Sequence, residues 1–314
     1  MPHRTLSAGP VLTTSSPAAR PSGRRADLLL LAATFTWGVS FVIVKGALAD
    51  ASPLAFLAVR FVIATLALAP LVTFRARWTI GELRAGMLLA VLLASGFACQ
   101  VVGLQYTTPA RSAFIVALSS VLAPVIAVVV LRLHMGWIVF VAVLIAGAGM
   151  YFLTAPDAGG LNRGDMWTLI TAVVFGGHIV AVEQFSKRYD ARRLVWLQIA
   201  GTAFGVSVVA ALVEPVRLAW SPGLVAALVF TGLIATAVAL VWQMLAQRDM
   251  SSARASLLLC LEPLFAALAS WLFWGEQLSL VQAFGGLLIL AAMLLAAWAE
   301  SKTDLATPPG THTS

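Results

Sequence analysis

Apolar residues fill long, nearly uninterrupted stretches of this chain, and polar residues are confined to the short gaps between them. Ten stretches lie near the ~20 residues a helix needs to cross a bilayer core: Asp27–Leu48, Pro53–Phe74, Leu83–Leu104, Ala110–Leu131, Trp137–Leu153, Asp165–Phe185, Leu194–Val213, Gly223–Ala246, Ala253–Phe273 and Leu278–Ala299. The pattern predicts an all-α integral membrane protein with ten transmembrane helices. Residues 1–26 are rich in Ser, Pro, Thr and Arg without apolar period, and residues 300–314 are polar and contain Pro308-Pro309, so both read as disordered tails. Leu28–Val44 followed by Ala47-Leu48-Ala49 has the outline of a signal peptide and cleavage site. Lys45 interrupts it and the polar leader is long, so it is read as the first span.

The pattern also repeats. At an offset of 143, Ala110 and Arg111 align with Ala253 and Arg254, Leu118 with Leu261, and Gln100 with Gln243. At an offset of 138, Asp27 aligns with Asp165, Trp37 with Phe175, Gly38 with Gly176, Ser40 with His178 and Arg60 with Gln198. Five residues of loop length reconcile the two offsets, giving repeats over 27–157 and 158–299. Five helices per repeat is an odd number, so the second repeat must enter the membrane from the opposite side. Two inverted five-helix repeats around a site near the membrane midplane are characteristic of secondary transporters.

Composition strengthens the membrane reading: 61% of residues are hydrophobic and 11% charged, against roughly 45–50% and 25% in soluble domains. A net charge of +7 would elsewhere suggest a nucleic-acid partner, but the basic residues sit in short loops beside apolar runs. No nucleic acid is therefore expected, and the charge is a topology signal. With the N-terminus inside, fifteen Lys/Arg fall on the cytoplasmic side (Arg4, Arg20, Arg24, Arg25, Arg75, Arg77, Arg84, Arg132, Lys187, Arg188, Arg192, Arg193, Arg248, Arg254, Lys302) and three outside (Arg111, Arg163, Arg217). That asymmetry predicts both termini in the cytoplasm. Cys99 and Cys260 both lie within spans, so no disulfide framework or metal site is expected.

Against this background the polar residues inside spans stand out. Glu262 directly precedes Pro263 about nine residues into its predicted helix, ~14 Å deep at 1.5 Å per residue. A carboxylate at that depth costs roughly 2.5–3.5 kcal/mol on insertion scales, and the proline removes a donor and frees the Leu259 carbonyl. It reads either as a proton-titratable or cation-contacting group lining a cavity, or as a structural carboxylate tied to a base or to freed backbone. Arg60 could hold a substrate carboxylate with its fork of donors, or brace a loop; Lys45 reads as an interfacial anchor. His178 could donate to substrate or relay a proton, or simply pack. Gln100 and Gln243 occupy matched positions and offer donor and acceptor together, either to a cavity or to neighbouring helices. Trp37 and Ser40 share one helix face as an aromatic wall or as core. Ser112 and Ser119 share a face of the fourth helix, as Ser256 and Pro263 do on the ninth. Gly147, Gly149, Gly285 and Gly286 suit close helix approach. Glu276 reads as a cap or loop anchor.

These residues carry a resemblance. Trp37-Gly38-x-Ser40-Phe41, Arg60, Gly103-Leu104-Gln105-Tyr106-Thr107-Thr108 and Pro124 in the first half, with Gly164-Asp165, Ala253-x-Ala255-Ser256, Leu261-Glu262-Pro263, Gly275-Glu276 and Gln282-x-x-Gly285 in the second, resemble the drug/metabolite transporter superfamily, EamA type. The resemblance spans about Asp27 to Ala299. It implies a carrier in which helices one to four and six to nine surround a central cavity, with five and ten outside, exporting or importing amino acids, metabolites or toxic compounds. One departure is that Pro124 lies four residues further along its helix than Pro263 does, by the Ala110/Ala253 alignment.

No GxxxxGK[ST], HExxH or GxSxG pattern occurs. The expectation is therefore a secondary active exporter of amino acids or small metabolites and drugs, working by alternating access in a bacterial cytoplasmic (inner) membrane, and not an enzyme. Its substrate-binding set is Trp37, Ser40, Arg60, Gln100, Ser119, His178, Gln243 and Glu262, with Pro124 and Pro263 as hinges. A small-molecule substrate, membrane lipid and proton coupling are its expected partners, with no cofactor or metal, as a monomer or homodimer. The alternatives are a membrane-embedded enzyme acting on a lipid-linked substrate and a transporter-like small-molecule sensor.

Overall fold

The computed structural model describes residues 24–72, 77–132, 136–154, 160–248, 255 and 258–306, with residues 244, 247, 248 and 300–306 by backbone alone. The expected N-terminal tail lies almost wholly outside these residues, since α1 begins at Arg24. At the other end the expectation of a tail from residue 300 is corrected, because α10 continues to Ala306.

The helices are α1 Arg24–Ala47, α2 Pro53–Leu68, α3 Ile80–Leu104, α4 Pro109–Leu131, α5 Trp137–Leu153, α6 Arg163–Ser186 and α7 Ala191–Val213. After these come α8, described below, α9 Glu262–Trp274 and α10 Leu280–Ala306. Eight of the described helical runs are long and apolar enough to cross a membrane. Their starts follow capping chemistry. Proline opens α2, α4 and α8, where its missing N–H costs nothing. Thr79, Asp190 and Ser221 accept from backbone amides three residues on, and Asn162 forms a reciprocal capping box with Asp165. Gly275, at φ 62°, closes α9. α2 stops at Leu68, short of the expected Phe74, and passes into a 3₁₀ turn over Ala69–Leu71 containing Pro70.

Two helices depart from regular winding. α8 is α-helical over Pro222–Val229, widens to a π-helix over Phe230–Val238 and returns to α over Ala239–Arg248. The ninth predicted helix is broken: Leu258 and Leu259 are helical, Cys260 and Leu261 turn, and α9 starts afresh at Glu262. Pro263 thus occupies the first turn of a helix, not the interior of a continuous one.

The surface is inverted relative to a soluble domain. Thr34, Ser112, Thr168, Thr171, Thr202, Thr231 and Ser270 are wholly buried, while Val129, Phe204, Leu212 and Leu280 face outward. In lipid an apolar exterior carries no hydrophobic penalty, and interior hydroxyls donate to carbonyls of their own or neighbouring helices, as Thr171 does to Gly96 and Thr202 to Ala90. One apolar core joins α2, α7 and α8 around Phe56, Phe61, Ile199 and Leu228; a second joins α4, α5 and α10 around Ile115, Ala146 and Ile289. α1 packs against α8 and α9, and α6 against α3 and α4. Gly149 and Gly285 bring α5 and α10 into backbone contact, and Gly286 receives the Phe114 ring, whereas Gly147 faces open space.

Candidate functional site

Most of the expected site residues belong to the helices that meet around Phe175. That ring packs with Phe41 of α1, Ala113 and Val116 of α4 and Ala266 of α9, and edge-on against Phe97 of α3 at 5.2 Å between centroids.

Gly38 lets α1 press on the helix break: a Cβ there would lie 2.7 Å from the Glu262 carbonyl and 2.9 Å from the Ala266 amide. On the other side of the bundle a Cβ on Gly176 of α6 would lie 3.3 Å from the Ser119 carbonyl and 3.4 Å from the Ala123 amide of α4. These are the sequence pairs 38/176, 119/262 and 123/266, at offsets of 138, 143 and 143. The Glu262 carboxylate is half-buried at the first turn of α9, where the helix dipole favours negative charge. It makes no hydrogen bond or ion pair among the described residues.

Trp37 and Arg60 converge on the π stretch of α8. The Trp37 indole donates to the Ala235 carbonyl at 2.8 Å, and Arg60 Nε donates to Thr236 Oγ1 at 3.0 Å. The Thr236 hydroxyl passes its own proton to the Thr231 carbonyl five residues back, at 2.7 Å. Gly232 makes the approach possible, since a Cβ there would lie 2.8 Å from the Arg60 carbonyl. The guanidinium also lies over the rings of Phe97, at 5.0 Å, and Phe61, at 5.7 Å. Neither Ala235 nor Thr236 was expected from the sequence, where nothing marks a π turn.

The remaining candidates separate. His178 is bound to Gln198 across α6 and α7, at 2.7 Å between Nε2 and Oε1. Gln198, almost fully buried, is the partner sequence reading missed, although it is the repeat mate of Arg60. Ser40 donates to the Trp37 carbonyl of its own helix at 2.7 Å. Ser119 is buried, and Gln100 and Gln243 are half-buried; their side chains meet no hydrogen-bond partner among the described residues. Pro124 lies inside α4, which runs on to Leu131, so the two prolines occupy unlike positions.

One end of the bundle, bearing the α1–α2, α3–α4 and α7–α8 connections, is tied across. Ala51 and Leu218 form an antiparallel bridge, Arg111 of α4 pairs with Asp165 of α6, and the Asp165 carboxylate also accepts from Thr107 Oγ1 at 2.8 Å. Glu214 accepts from the Ala55 amide at 2.9 Å. Glu276 accepts from Ala110 at the start of α4 at 3.3 Å and also takes the Ser270 hydroxyl proton, as a loop anchor should. Lys45 Nζ donates to the carbonyls of Leu104, Gln105 and Thr107 at 2.6–3.0 Å, anchoring the end of α1 to the C-terminus of α3. A cavity of about 570 Å³ lies at this end between α1, α8 and α9, lined by Gly46, Asp50, Phe230 and Trp274, and none of the expected site residues borders it.

A helical bundle with an apolar exterior, a broken helix and polar side chains held inside defines a multi-pass membrane protein of transporter type. The EamA-like transporter family model matches residues 24–155 and again 162–298. The chain belongs to that family. It is 33% identical over 270 residues to an uncharacterized transporter of Archaeoglobus fulgidus, covering 86% of this chain and 85% of the relative. A second uncharacterized transporter of the same organism is 27% identical over 153 residues, covering 48% of this chain and 53% of the relative. A solved structure, described as the crystal structure of a protein, superimposes with a TM-score of 0.62 at 16% identity over 89% of this chain and 98% of that one, a likeness of fold.

Proposed function

We propose that this transporter is a secondary active carrier working by alternating access, exporting amino acids or small metabolites and coupled to protons through Glu262. The observation that carries the reading is the Glu262 carboxylate, unpartnered among the described residues at a break between helical segments. Broken helices at membrane depth are tolerated where they line a cavity or are buried in protein, and in carriers they form the site. The matched contacts of Gly38 with Glu262 and Gly176 with Ser119, together with the doubled family match, support ten spans in two inverted repeats, 27–157 and 158–299. Pro124 and Pro263 then serve as flexible points. The Lys/Arg asymmetry supports cytoplasmic termini in a bacterial inner membrane.

The test is flux in proteoliposomes, with labelled amino acids and small amphipathic metabolites, with and without an imposed pH gradient, for wild type and Glu262→Gln. Gradient-driven flux in wild type, with exchange alone surviving in the variant, is the expected result. Equal gradient-driven flux in both would remove Glu262 from coupling.

A further inference from the structure

Arg60 is 4% exposed, well inside a membrane-spanning helix, and its charge is not neutralised within the described protein. A guanidinium cannot shed its proton, so it keeps its charge at this depth. No carboxylate of the described residues lies within ion-pair distance of it. Nε is used on Thr236, and the flat face rests on Phe97 and Phe61. The two terminal nitrogens and their four N–H donors meet no acceptor among the described residues. Both border space that a water-sized group can reach, for neither belongs to the fully enclosed unpartnered atoms. Cation–π contact offsets part of the desolvation, but a largely buried cation with a free edge remains costly. The Thr236 bond fixes the direction of that edge.

Two parallel donors on a planar fork match a carboxylate. Beside the fork, three rings run toward the middle of the bundle: Phe61 and Phe97 are edge-to-face at 5.2 Å, and Phe97 and Phe175 likewise at 5.2 Å. An inorganic anion would satisfy the fork and gain nothing from the rings. We propose that Arg60 is an anion subsite taking the carboxylate of a small amphipathic acid, whose apolar end lies along Phe97 and Phe175. That this acid is the transported compound rests on the carrier reading above; the binding itself does not.

The test uses the purified full-length protein in detergent, titrated with 3-phenylpropionate, with 3-phenylpropanamide of the same skeleton but no charge, and with chloride. Binding is followed by calorimetry and by the shift in unfolding temperature. The expected result is saturable binding of the acid, at least about tenfold weaker binding of the amide, and a similar loss in Arg60→Met. Arg60→Lys, a point charge without the fork, recovers part of the affinity, and Thr236→Val, which frees the fork to turn, loses a few-fold. Equal binding of acid and amide to wild type overturns the proposal without recourse to any variant. So does absence of acid binding at millimolar concentration, or undiminished binding by a folded Arg60→Met protein. Protection by chloride equal to that by the acid would make this an inorganic-anion site and sink the carboxylate. Saturable flux of some other solute with no acid binding removes the subsite alone. Intact acid binding without flux of any solute, the acid included, removes the carrier reading alone.

Discussion

Replacing Arg111 by Met should cost about 3–5 kcal/mol, the range for breaking a buried pair from one side. The two side chains are 5% and 0% exposed. Without Arg111 the Asp165 carboxylate keeps Thr107 Oγ1 at 2.8 Å and the Asn162 amide at 2.9 Å, two neutral donors for a full buried charge. Asp165→Asn likewise removes the countercharge of Arg111, whose bond to the Gly160 carbonyl is to a neutral acceptor. The double variant Arg111→Met/Asp165→Asn carries neither charge and loses chiefly hydrogen bonds, each worth ~0.5–1.5 kcal/mol net, so it should be more stable than either single variant by ~1–3 kcal/mol. Equilibrium unfolding in mixed micelles, followed by tryptophan fluorescence, measures all four proteins. Single-variant costs that add to within ~0.5 kcal/mol in the double would refute the reasoning, because additivity means the charges do not feel each other.

Two further outcomes follow from the packing. Gly285→Ala would drive a Cβ into the Leu153 amide, so α5 and α10 must separate; a loss of ~1–3 kcal/mol in the same unfolding assay is expected, and no loss at Gly147→Ala, which faces open space. Cysteines introduced at Gln100 and Gln243 should react with membrane-impermeant reagents from either side as substrate and gradient change; reaction from one side under every condition would contradict alternating access.

Much of the fold was legible because lipid forces helices, and helix ends carry local chemistry. α5 runs over Trp137–Leu153 as the apolar run does, and α6 starts at Arg163, two residues before the expected Asp165. The break before Glu262 was half legible: Glu-Pro announced a costly position, but a proline inside an apolar run and a proline opening a new helix look the same in one dimension. The π stretch was not legible at all. Phe-Thr-Gly-Leu-Ile-Ala-Thr-Ala-Val has no composition that asks for wide turns; what sits against it are Arg60, Ile63 and Trp37, some 170 or more residues away in sequence. Arg111 and Asp165 were visible as repeat positions and as loop charges. Their pairing joins residues from the two halves, and no local pattern announces such a contact.

An α-helix advances ~100° per residue, so every residue absorbed by a wide turn rotates all that follows it by about that angle. The stretch over Phe230–Val238 therefore throws the two ends of α8 out of phase, and Gln243 lies beyond it. α3 has no such stretch, and Gln100 keeps the phase of a plain helix. The two glutamines are twins in the sequence but differ in helical phase relative to the starts of their helices. A duplicated chain can in this way present a handed, two-faced interior to a solute while its text remains nearly symmetric.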